Sequence, residues 1–124
     1  MQLTEHRYEQ QFFLRHADAQ SVTVIDRVLR RSLLVSATRI VEDFPVRQPD
    51  QLDGTAVESI LTLQPEVVLL GSGARAVFPP QAVLAQFLKR GIGLETMDSS
   101  AAARTFNVLA GEGRNVVAVF LLPG

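Results

Sequence analysis

The stretch Asn115–Leu122, N-V-V-A-V-F-L-L, constrains this chain more than any other. After Asn115 the run offers no polar side chain, so a strand there has no face to give to water. Such a strand belongs in the middle of its sheet, and the sheet must carry packing elements on both faces.

The residues upstream supply candidates for that cover. Thr55-Ala-Val-Glu58 reads as a capping box opening a short helix that stops before Pro65. Glu66–Leu70 reads as a buried strand ending in Gly71-Ser72-Gly73. Pro79-Pro80 opens a helix over Gln81–Arg90, striped by Val83, Leu84, Phe87 and Leu88 and closed by Gly91. Ile92–Met97 is a strand, and Asp98 or Ser99 caps a helix over Ser100–Ala110. The strand starts Val67, Ile92 and Val116 fall about 25 residues apart, the spacing of strand–helix–strand units.

The first third reads as antiparallel strands: Ser21–Ile25, a turn at Asp26-Arg27, a longer strand over Val28–Ser36, and Thr38–Val41. Phe12-Phe13-Leu14 fits either a short strand or a hydrophobic plug. Glu42–Asp53 holds Pro45, Pro49, four acids and Arg47, and reads as a solvated connection. The fold class is therefore α/β, with helices on the faces of a mixed sheet and an antiparallel N-terminal part.

At 124 residues the chain is one domain's worth, 1–124, with residues 1–11 expected to be flexible. A net charge of −1 argues against an extended nucleic-acid surface, and the lack of Cys excludes disulfides and thiolate chemistry. No apolar run reaches the roughly 18 residues of a membrane span. Met1–Gln11 is too polar for a signal peptide. The expectation is a cytoplasmic protein without a cofactor or a nucleic-acid partner.

Gly71-Ser-Gly-Ala-Arg-Ala76 fits G-x-G-x-x-A, a dinucleotide fingerprint, but Val77–Pro80 delays the helix whose N-terminus the pyrophosphate would need. A broader reading keeps the strand ends as a crevice lined by Ser72, Arg75, Asp98, Ser99 and Ser100, hospitable to an anion. On the last helix Ala102, Phe106 and Leu109 share a core face. Arg104 and Asn107 project together beside Thr105, with Arg104 expected to meet a ligand or to pair with Asp98, Glu95 or Glu112. Glu112-Gly113-Arg114 lies at the opposite sheet edge. The histidines, His6 and His16, precede the core, and His16-Ala-Asp18 lacks a third metal ligand. These sets lean away from an enzyme.

Met97-Asp-Ser-Ser-Ala-Ala-Ala-Arg-Thr-Phe-Asn-Val-Leu109, followed by Glu112-Gly-Arg114, resembles a family signature near M-D-T-G-A-A-C-R-T-Y-N-V-L with a later E-G-R. The family is the domain-of-unknown-function group that includes mitochondrial complex I assembly factor 3 and the adipogenesis-associated domain protein. Ser32–Ser36 and Leu70–Gly73 fit the same pattern, so the likeness runs from about Val22 to Leu122. Gly71, Gly73, Met97, Asp98, Ala102, Arg104, Thr105, Asn107, Glu112 and Arg114 match the motif, while Ser100, Ala103 and Phe106 replace its Gly, Cys and Tyr.

The resemblance implies a three-layer α/β domain with a central mixed sheet, and it implies complex I assembly through protein contacts rather than an established activity. The functional expectation is a non-enzymatic protein-interaction or assembly module, with a homodimer as its own assembly. The alternative is a small anionic-ligand binder or enzyme using Gly71–Gly73 and Asp98–Arg104.

Overall fold

The computed structural model describes residues 4–7, as backbone, and 11–124. Among the described residues nine strands and three α-helices follow in order: β1 (Thr4–Arg7), β2 (Leu14–Ala17), β3 (Val22–Val24), β4 (Arg27–Leu29), β5 (Arg31–Val35), β6 (Arg39–Glu42), α1 (Gly54–Leu61), β7 (Val67–Gly71), α2 (Gln81–Leu88), β8 (Gly93–Met97), α3 (Ser99–Gly111) and β9 (Val116–Pro123). A six-stranded mixed sheet runs β1-β6-β5-β9-β7-β8, and a three-stranded antiparallel sheet runs β2-β3-β4.

The apolar run takes the central place its composition demands. β9 pairs antiparallel with β5 and parallel with β7. Val116, Ala118, Phe120 and Leu122 face one core, with α3 and the small sheet. Val117, Val119 and Leu121 face the other, with α1, α2 and the segment before α1. Every residue from Val116 to Leu122 is at most 3% exposed. Full burial of each large apolar side chain is worth about 1.5–3 kcal/mol, so β9 anchors both cores. The three layers are thus α1 and α2, the six-stranded sheet, and α3 beside the small sheet.

The crossover β7–α2–β8 lies on one face, and β8–α3–β9 returns on the other. Opposite faces follow from opposite directions of travel when both crossovers are right-handed. The chain leaves the neighbouring strands β7 and β8 toward opposite faces, where a crevice is expected in sheets of this kind.

Several local expectations are corrected. Val28–Ser36 is not one strand: it breaks at Arg30 into β4 of the small sheet and β5 of the large one. β5 must bury Leu33, Leu34 and Val35 on both faces, whereas Val28 of β4 is 52% exposed, so the two halves need different environments. The hairpin turn is Ile25-Asp26, with Ile25 at φ 55, because Val24 pairs with Arg27. Phe12 is the plug and Leu14 begins the strand.

The N-cap of α1 is Asp53, whose carboxylate accepts from the Ala56 amide at 3.0 Å; Thr55 already lies inside the helix. The connection Glu42–Asp53 is not merely solvated, since it buries Phe44, Val46 and Leu52 and contains a 3-10 turn at Pro49–Gln51. α2 ends at Leu88, which is 66% exposed and so outside the apolar stripe that buries Val83 and Phe87. Within the stretch 1–11, Thr4–Arg7 forms β1, paired with β6, and residues 1–3 and 8–10 lie outside the described residues.

Candidate functional site

The strand-end crevice is built around two glycines with different duties. Gly71 closes β7 where α3 and β9 approach. A Cβ there would stand 2.9 Å from Phe120 Cδ1 and 3.2 Å from Ala102 Cβ, both on fully buried residues. Gly73 has φ +95, a conformation open to glycine at little cost, and turns the chain out of the sheet.

The polar groups here bind one another. The Ser99 amide donates to the Gly73 carbonyl at 2.8 Å, and the Gly73 amide donates to Ser99 Oγ at 2.9 Å. The Ser72 amide donates to the Met97 carbonyl at 3.1 Å. The Ser72 hydroxyl donates to the Arg75 carbonyl at 2.6 Å and accepts from the Val77 amide at 2.8 Å. Asp98 caps α3 by accepting from the Ala101 amide at 2.8 Å. Ser99 is fully buried. Gly71, Ser72, Gly73, Asp98 and Ser99 are therefore brought together, stitched across the ends of β7 and β8.

The remaining motif residues disperse along α3. Arg104 is exposed and donates to Ser100 Oγ at 2.7 Å, rather than pairing with Asp98, Glu95 or Glu112. Thr105 is half-buried. Asn107 points away from Arg104 in function: its Oδ1 accepts from the Leu14 amide and its Nδ2 donates to the Leu14 carbonyl, both at 2.8 Å. This two-bond clamp holds β2, and so the small sheet, to α3. Glu112 and Arg114 lie beyond the helix end, about 20 Å from Ser99 by the helix rise. Arg114 Nε sits 3.5 Å from Glu66 Oε1, a half-exposed pair of small energetic weight.

The Asp18 carboxylate lies in a local network of hydrogen bonds. Its pKa is lowered to about 2, chiefly by the hydrogen bond to His16 at 3.0 Å and then by the Gln20 and Ser21 amides. His16 and Asp18 thus serve each other, and no group of three or more metal-ligating side chains exists among the described residues. The side chain of His6 lies outside them.

One feature escaped the sequence reading. A groove of about 380 Å³ runs beside the β7 turn and the end of β9, lined by Arg47, Gln48, Ser72, Gly73, Ala74 and Leu121 among others, with no acid in its lining. Arg47 is exposed and has no carboxylate partner among the described residues. The signal was present: Arg47 is the one base in an otherwise acidic connection.

The model of a protein family of unknown function, DUF498/DUF598, matches residues 14–121. A solved protein of Xanthomonas campestris superposes with a TM-score of 0.86 at 42% identity, covering 94% of this chain and 88% of that one. A "13 kDa major membrane protein" of Francisella tularensis is 30% identical over 90 residues, 72% of this chain and 73% of that protein. An "NADH dehydrogenase [ubiquinone] 1 alpha subcomplex assembly factor 3" of Danio rerio is 41% identical over 64 residues, 52% of this chain. The match spans 37% of that relative's length.

Proposed function

The chain belongs to the DUF498/DUF598 family, and on that premise we propose that it is a non-enzymatic interaction module of the assembly-factor kind, working in the cytoplasm. The observation that carries this reading is the internal hydrogen bonding of the polar groups at the strand ends. Strand ends in α/β sheets are where substrates usually sit, and here Gly73 and Ser99 bond to each other while Ser72 and Asp98 bond to the backbone of Arg75, Val77 and Ala101. A site of that kind holds the fold rather than reacting. The assembly-factor relative directs the search for a partner toward respiratory-complex subunits. No helix among the described residues is long and apolar enough to cross a membrane.

The test is native mass spectrometry of the protein isolated gently from its host. The reading expects a stoichiometric protein partner that survives Arg104→Ala. A bound small molecule in place of a protein would overturn it.

A second reading is favoured by the groove beside the β7 turn. The Arg47 guanidinium, without a carboxylate partner among the described residues, the Gln48 amide and an acid-free lining suit a small carboxylate or phosphate. A bound anionic mass that disappears in Arg47→Ala would support it, and one that persists would exclude this groove.

A further inference from the structure

We infer that the outer face of α2, with the loop leading into it, is the docking surface for an acidic amphipathic helix of a partner protein. The inference rests on the interaction-module reading and names the surface and the chemistry of its partner.

The first observation is apolar exposure at the two ends of α2, where three of the six exposed large apolar side chains among the described residues lie. Phe78 is 73% exposed, Leu88 66% and Val77 45%. A lone exposed Leu needs no explanation, but large side chains gathered at the two ends of one helix mark a contact surface. Ala82, Ala85 and Leu88 recur at helical spacing on the exposed side of α2, with Phe78 at its head. Phe78 and Leu88 are about 15 Å apart if the helix rise is carried back to Phe78. The small residues between them leave room for another backbone. Pro79 is buried and Pro80 follows it, so the chain after Phe78 is held stiffly and the ring cannot easily fold onto the body. A partner helix with apolar side chains at i, i+3 or i+4 and i+7 matches this arrangement.

The second observation is charge. From Val67 to Leu94 the chain has no acid and three bases, Arg75, Lys89 and Arg90. All three are exposed, and none has a carboxylate partner among the described residues. Arg90 donates to the Gln86 carbonyl at 2.7 Å, which keeps its guanidinium at the end of α2. Bases thus stand at both ends of the apolar face, and the complementary surface is acidic.

The same pattern speaks against a second copy. In a two-fold pairing through α2, an antiparallel arrangement sets Arg75 of one copy toward Lys89 and Arg90 of the other. A parallel arrangement sets each base toward its own equivalent. Either way like charges meet across the interface.

Photo-crosslinking in the host tests the inference, with a benzophenone amino acid placed at Phe78, at Leu88, or at the exposed Val108 of α3 as a control. The expected result is a crosslink from Phe78 and Leu88 to a segment of one protein whose apolar residues recur at helical spacing among Asp and Glu. A synthetic peptide of that segment should lose roughly tenfold or more in affinity to Lys89→Glu with Arg90→Glu, and bind less well as salt rises. Melting temperatures of the variants, unchanged at these exposed positions, separate this loss from unfolding. Crosslinks from α2 only to a second copy or a non-acidic segment, or binding only to vesicles of phosphatidylethanolamine and phosphatidylglycerol, would overturn it. A partner captured from Val108 alone would sink the α2 surface and leave the interaction module standing. Capture from none of the three, with no partner by native mass spectrometry, would remove both.

Discussion

Replacing Asn107 with Ala removes the side-chain amide that joins α3 to β2. Two hydrogen bonds at 2.8 Å disappear, one to the Leu14 amide and one to its carbonyl. Each is worth about 1 kcal/mol net, and leaving both groups of a residue only 4% exposed without partners adds a desolvation cost, for a total of about 2–4 kcal/mol. In a domain of this size that lowers the melting temperature by roughly 10–15 °C. Urea unfolding gives the energy, and amide hydrogen exchange at Leu14 shows whether the loss is at the clamp. Asn107→Asp sharpens the test. Its carboxylate can accept from the Leu14 amide but faces the Leu14 carbonyl with no proton to donate, so folding raises its pKa. A raised acid pKa means the folded state holds the proton more tightly, so this variant gains stability relative to the parent as pH falls. A loss below about 0.5 kcal/mol in Asn107→Ala, with Leu14 still protected, would refute the clamp.

Gly71→Ala should destabilise by about 1–3 kcal/mol in thermal melts, because its Cβ would meet the buried Phe120 ring at 2.9 Å; a neutral result would show that the Phe120 ring can shift aside. The Thr96 hydroxyl is buried with no hydrogen-bond partner among the described residues, so Thr96→Val should stabilise by up to about 1–2 kcal/mol, and a loss would reveal a partner for it. Gln64 is held at φ 54, and Gln64→Gly should raise the denaturation midpoint by the equivalent of about 0.5–1 kcal/mol. Asp18 has its pKa depressed from 3.8 to about 2, so its contribution is full above pH 3.8 and is lost as pH falls through about 2; Asp18→Asn should flatten acid unfolding across that window.

Much of the architecture is written in periodicity. The unbroken apolar run of β9 could satisfy itself only at the centre of a covered sheet, and it pairs there with β5 and β7. Gly71, Gly73 and Asp98 were legible for similar reasons, since a tight strand exit and a helix cap each demand particular local chemistry. The break at Arg30 was not legible, because Val28–Ser36 is uniformly strand-forming and only the packing of two different sheets separates its halves. The pairing of Arg104 with Asn107 failed for a related reason. Helical spacing places residues on a face, but β2, 93 positions away in sequence, decides that Asn107 is a clamp while Arg104 meets water. The acid-free span around α2 stood in the sequence from the start. It became a surface only when folding buried Val83 and Phe87 and left Phe78 and Leu88 outside, because burial is a property of neighbours brought together by the whole chain.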